Sequence, residues 1–177
     1  MADLEKEASD MELAKIEQLE PGITNDAYQF ANNNLLKELL PMLGLEGEPD
    51  ADNLHPLVLA YLGDAVYELF VRYGLVARGF TRVGPLHQEA INLVRATCQA
   101  RFLHEIEGSL TEEESRIMKR GRNAKSGHVP RSAEVVEYRW STGFESLIGY
   151  LYLKHRFERL EEILSHLTWP KPGLPGK

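Results

Sequence analysis

The chain has 177 residues, a single cysteine and a formal net charge of −7, enough for one domain with an extension and incompatible with a disulfide framework or a cysteine-rich zinc site. It holds no apolar run of roughly eighteen residues that could span a membrane, and its first residues carry acids where a secretory signal carries bases. A reduced, cytoplasmic protein is the default expectation.

The charge is unevenly placed. Residues 1–53 carry 13 acids against 3 bases, whereas residues 54–177 carry 14 acids against 17 bases. The acidity thus lies in an N-terminal extension, and the body is mildly basic. Within it, residues 115–139 hold seven Lys or Arg against two Glu. Such an excess suits a polyanionic partner, although a run of charge is more often a solvated surface.

In chain order, residues 1–25 read as a polar helix ended by Pro21 and Gly22, and Asn25 or Asp26 caps a short helix that stops before Pro41. Gly44 to Asn53, with its acids, Gly47 and Pro49, reads as a linker. Pro56 suits the first position of a helix to about residue 73, with Leu59, Leu62, Val66, Leu69, Phe70 and Tyr73 at helical spacing. Pro85 opens a second helix predicted to reach Glu107, where Gly108 stops it. Thr111-Glu112-Glu113-Glu114 has capping-box spacing and starts a third helix into the basic cluster. Gly121 to Pro130 reads as a loop. Ser132 caps a helix carrying Val135 to Leu151, with room for a break near Ser141 to Gly143, and a last helix over 156–167 precedes a Pro/Gly-rich tail. No period-two segment occurs, so the predicted fold is all-α.

Two acids stand out. Asp64 follows Gly63 in an apolar helical run, and Glu145 lies in another, Ser141 to Gly149. An ionised carboxylate facing a core is unfavourable unless a cation or hydrogen bonds compensate it. On two facing helices the pair would suit a divalent metal, since magnesium takes one or two carboxylates and completes its shell with water and phosphate. Gly63 would let another backbone come close. Glu68 shares the Asp64 face and is a further candidate ligand. Plain structural readings compete: Asp64 bonded to a loop, and Glu68 paired with Arg72 four residues on. The six histidines show no ligand spacing, and no P-loop, Rossmann or serine-hydrolase pattern is present. Lys119, Arg120, Arg122, Asn123, Lys125 and Ser126, with Arg131 beyond them, offer donors for phosphate just before the Glu145 helix. Double-stranded RNA, read through its backbone and 2′-hydroxyls, fits such a loop, against the alternative of a mobile solvated one. Arg120→Ala or Arg122→Ala is then expected to weaken duplex binding at any sequence.

The run Leu59-Ala60-Tyr61-Leu62-Gly63-Asp64-Ala65-Val66-Tyr67-Glu68-Leu69 resembles the ribonuclease III signature. Ser141 to Leu153 resembles that family's second acidic motif, and Arg120 to Ser126 its connecting loop. The likeness covers roughly residues 54–165 and is nearest to the mini branch, a nuclease domain without a double-stranded-RNA-binding domain. It implies the helical bundle of the ribonuclease III endonuclease domain, with Asp64 and Glu145 as catalytic ligands of Mg2+. It also implies a homodimer straddling an RNA duplex, with Tyr61, Leu62, Val66 and Tyr67 as interface candidates. The substrate implied is precursor of large-subunit (23S) ribosomal RNA. Full-length members carry three further acids where this chain has Leu57, Ala60 and Thr142. The domain reading is an acidic extension over 1–53, the catalytic domain over 54–167 and a tail over 168–177. No small-molecule cofactor and no membrane partner are expected. A non-catalytic RNA-binding module on the same fold is the alternative, and a helical pyrophosphohydrolase built on Glu134 and Glu137 a more distant one.

Overall fold

Pro56 does open a helix, and in the computed structural model of the chain that helix, α1, runs Pro56–Ala77. The structure describes residue 47, residues 49–125 and residues 134–172, so the helices expected before residue 41, the Ser132 cap, Ser126 and Arg131 lie outside the described residues. The His55 side chain caps α1 by accepting from the Leu57 amide at 3.2 Å. Gly74 does not end it. A Cβ there would lie 2.2 Å from a Trp169 ring carbon, so the residue is a seat for that indole, which also meets Phe70 and Arg78. The stop comes at Arg78, before Gly79 with φ +90°, a backbone shape that suits glycine.

The second helix proves to be two, α2 (Val83–Val94) and α3 (Ala96–Ile106). Arg95 between them is extended, φ −62° and ψ 146°. The turn lets α2 pack on α1 while α3 packs on the central helix. A 3-10 turn, Glu107–Ser109, leads to α4 (Glu112–Arg122), which continues through Gly121. The Thr111 capping box is present: its Oγ1 accepts from the Glu114 amide at 3.2 Å, and the Glu114 carboxylate accepts from the Thr111 amide at 2.9 Å.

α5 (Glu134–Leu153) is the axis of the fold, and α6 (Phe157–Ser165) closes the series. Residues 141–144 and 146–151 are all buried, as expected of a helix surrounded by others. α1, α3 and α4 pack around it. Phe144 meets Tyr67 and Phe102 edge-on at 4.9 and 5.6 Å. No break occurs at Ser141 to Gly143. The hydroxyls of Ser141 and Thr142 both donate to the Tyr138 carbonyl at 2.9 Å, returning to their own helix.

The stretch before α1 is tied to this body. Ala51 is buried, and Asp52 accepts from Lys154 and from the Tyr150 hydroxyl, each at 2.9 Å. At the other end Glu114, 2% exposed, is gripped by Arg159 of α6 through two bonds of 3.0 Å. Burial pushes the Glu114 carboxyl up, but Arg159 and the Thr111 amide outweigh it and hold the group below its ordinary 4.5. A depressed carboxyl stabilises the fold above the unfolded-state value and ceases to as pH falls through its lowered one. Arg159→Met, which strands a buried carboxylate, is expected to remove about 2 kcal/mol at pH 7 and to flatten the loss of stability below pH 4.5. Urea unfolding across pH 3–7 checks both.

Candidate active site

Glycine decides where α1 and α5 meet. A Cβ on Gly63 would lie 1.8 Å from the Glu145 carbonyl oxygen, and one on Gly149 would lie 2.0 Å from the Leu59 carbonyl oxygen. The two backbones therefore touch at this crossing, which only residues without a side chain permit. Asp64 follows one contact residue, and Glu145 is itself the other. The acids of the two motifs are thereby set beside each other on rigid helices.

This placement raises both carboxyl groups. Burial and then the Asp64 charge push the Glu145 carboxyl up to about 8. Asp64, at the surface, is also raised, by desolvation and then by the Glu68 charge. The shift is larger on Glu145 because it is the more deeply buried of the two. Among the described residues no Lys or Arg pairs with either carboxylate. Their one polar neighbour from α3 is Gln99, which lies against Glu145 and favours its ionised form.

This donor set fits a hard divalent cation: two clustered carboxylates that no Lys or Arg among the described residues pairs with. It is a minimal set. No group of three or more His, Cys, Asp or Glu side chains placed to hold a metal occurs among the described residues. Glu68 turns away to an ion pair with Arg72 at 2.7 Å, so it acts on Asp64 by charge alone. Of the positions where acids were absent, Ala60 is buried against the core and Thr142 is bonded into its own helix.

The basic segment divides into two kinds of residue. Lys119, Asn123 and Lys125 are exposed, and the Arg122 guanidinium lies 4.7 Å over the Trp140 ring, with Nε donating to Asn123 Oδ1 at 3.4 Å. Arg120 differs from expectation. Its guanidinium donates to the carbonyls of Asp52 at 3.2 Å and Leu54 at 3.0 Å, fastening the approach to α1, so those donors are already engaged. Arg120→Ala is therefore expected to lower stability by about 1–2 kcal/mol with the salt slope of duplex binding unchanged. Arg122→Ala is expected to lower that slope by about one. Filter binding across a salt series, with thermal melts, separates the two. Gly121 belongs to packing as well: a Cβ there would lie 2.2 Å from Ser146 Oγ, whose hydroxyl donates to the Thr142 carbonyl at 2.7 Å and lies 3.0 Å from that of Pro56.

One interface expectation is corrected. Tyr67 is completely buried, its hydroxyl donating to the Leu93 carbonyl within the same protomer at 3.3 Å, so it has no surface to offer a partner. Tyr61, in contrast, is 84% exposed, and Val58, Leu69, Tyr73 and Val76 join it among the exposed apolar residues of α1. Leu69 and Tyr73, at helical spacing with the other apolar residues of α1, face outward, because spacing alone does not say which of two apolar stripes faces inward. Ser146 and Gln99 carried no sequence signal: each is an ordinary polar residue whose role depends on a neighbour remote in the chain.

Comparison with known proteins identifies the family. The Ribonuclease III domain family matches residues 57–156. The mini-ribonuclease 3 of Symbiobacterium thermophilum is 55% identical over 111 residues, which cover 63% of this chain and 85% of that protein. That of Streptococcus pneumoniae is 44% identical over 118 residues, covering 66% and 92%. The crystal structure of protein FN1578 from Fusobacterium nucleatum matches with a TM-score of 0.58 at 34% identity, covering 64% of this chain and 90% of that one. By the family match and by these relatives, the chain belongs to the ribonuclease III family, in its mini-ribonuclease 3 branch, and is a ribonuclease III-type endonuclease of double-stranded RNA.

Proposed function

We propose that this endonuclease is magnesium-dependent, acts as a cytoplasmic homodimer and matures the ends of precursor 23S ribosomal RNA, with Asp64 and Glu145 as its metal-binding pair. The observation that carries the metal assignment is the meeting at the Gly63–Gly149 crossing of two carboxylates that no Lys or Arg among the described residues pairs with. When bound, magnesium supplies an acidified water and positive charge against the scissile phosphate and leaving oxygen. The chain contributes position. Asp64 and Glu145 project from helices whose backbones are in contact, so their separation is set by packing rather than by a loop. No side-chain nucleophile is required.

The dimer is supported by the exposed stripe of α1. Val58, Tyr61, Leu69, Tyr73 and Val76, with half-buried Leu62 and Val66, form an apolar surface of the kind that marks a protein interface. Lys119, Arg122, Asn123 and Lys125 are the phosphate contacts we assign, and Ser126 and Arg131 continue that set along the chain. The ribosomal substrate rests on membership of the mini branch.

The test is cleavage of a generic RNA duplex and of a fragment carrying the 23S precursor ends, with magnesium and with EDTA. Magnesium-dependent cuts in both, at the mature ends in the second, are expected. Cleavage unaffected by EDTA would remove the metal assignment. Cutting of the generic duplex with the precursor ends left intact would remove the ribosomal one.

A further inference from the structure

Gln99 is an anomaly in this fold. It lies in the first turn of α3, is 1% exposed, and neither its Nε2 nor its Oε1 makes a hydrogen bond of regular geometry. It holds the only buried side-chain nitrogen and oxygen without a partner among the described residues. An orphaned buried amide costs about 1–3 kcal/mol, and a Met or Leu of similar volume would fill the same space without that penalty. Its surroundings account for its presence. α3 packs on α5, where Phe102, one turn on from Gln99, meets Phe144, the chain neighbour of Glu145, and the carboxamide is near enough to favour the ionised form of Glu145.

We infer that Gln99 is a positioning residue of the active site: its amide nitrogen donates to the Glu145 carboxylate once that carboxylate turns to hold a divalent cation. The inference rests on the metal reading of Asp64 and Glu145 given above. A ligating carboxylate has two oxygens, and the one not on the metal needs a donor to fix its direction. Asp64 gains no such partner among the described residues, being at the surface where water serves. Glu145 is deeper, and water reaches it less. Gln99 supplies the donor from the protein, while its Oε1 remains for a proton of a water in the cation's shell. The fold thus bears the penalty of an unsatisfied amide for a site already shaped.

The test uses manganese(II) as the probe on the full chain, with uptake followed by electron paramagnetic resonance. Gln99→Met is expected to melt at or above the wild-type temperature without metal and to bind manganese about 10- to 100-fold more weakly. Asp64→Asn is the control for loss of a ligand. A wild-type chain that takes up no manganese overturns the metal reading and this inference together. A wild type that binds, beside a folded Gln99→Met that binds within twofold of it, overturns the Gln99 role alone. Because the variant could fail to fold, a second measurement uses wild-type protein labelled with nitrogen-15. Addition of magnesium is expected to shift the Gln99 side-chain amide protons and slow their exchange with water. An amide resonance unmoved at saturating magnesium overturns the inference without recourse to any variant.

Discussion

Asp64→Asn and Glu145→Gln are each expected to lower cleavage of duplex RNA by about a thousandfold or more, some 4 kcal/mol in the barrier, with duplex affinity unchanged or slightly improved. Each variant removes half of a two-carboxylate site, and no third described carboxylate stands ready to replace it. The double variant is expected to be no worse than either single one, because groups that hold one ion act as a unit. Binding should survive because the phosphate contacts proposed above lie elsewhere. The two variants differ in stability. The Glu145 carboxyl of the metal-free fold is raised from 4.5 to about 8. A raised carboxyl stabilises the fold fully below the unfolded-state value and ceases to as pH rises through the folded one. Wild-type protein without metal should therefore lose stability between pH 4.5 and about 8, whereas Glu145→Gln should not. At pH 9 the variant should be the more stable by about 1–3 kcal/mol, and saturating magnesium should reverse that order. An inactive enzyme more stable than its parent is the mark of a charge kept for function. Full cleavage by either variant would remove the pair from the chemistry.

How far the sequence spoke depended on whether a feature is local. The α4 capping box is contained in Thr111 and Glu114, and both halves of it form. Pro56 marked the start of α1 because its fixed φ acts on one residue. The break at Arg95 escaped notice since neither glycine nor proline stands there, and only packing of α2 and α3 on different partners requires it. Gly74 misled for a related reason. Glycine after an apolar run usually ends a helix, but here the empty Cβ position receives Trp169 from the far end of the body. The proposed site rests on two acids that stood out in the sequence, each near a glycine, to which the resemblance assigned one role. What fixes their meeting, backbone contact across more than eighty residues of chain between Gly63 and Gly149, was suggested at Gly63 and unsuspected at Gly149. Arg120 shows the opposite error. Its charge assigned it to the RNA contact, whereas its neighbours are carbonyls of its own chain. Composition identifies a cation without identifying what occupies it.

Gly63→Ala is expected to be among the most damaging single-methyl changes in the body. The added carbon would lie 1.8 Å from the Glu145 carbonyl oxygen, where contact requires about 3.3 Å, and that oxygen belongs to a helix backbone that cannot rotate away. α1 and α5 must separate by more than an ångström, opening the packing of Leu59, Tyr67 and Phe144 around the crossing. Forced overpacking of this sort costs about 3 kcal/mol or more, a large part of the stability of a small domain. The loss should extend to activity, because separation of the helices also separates Asp64 from Glu145, and a misplacement of one ångström at a reacting centre can cost about a hundredfold. Gly149→Ala, with its methyl 2.0 Å from the Leu59 carbonyl, should behave alike. Gly84→Ala is the matched control. It lies in α2, where nothing beyond its chain neighbours is within 4 Å of the added carbon, and crowding of that carbon by Pro85 offsets relief of the helix from glycine, so a change within about 1 kcal/mol is expected. Urea unfolding of the three variants, each with a cleavage assay, reads both effects. A Gly63→Ala protein as stable and as active as the Gly84→Ala control would mean that α1 and α5 do not touch, and the argument that packing sets the distance between the two carboxylates would fail with it.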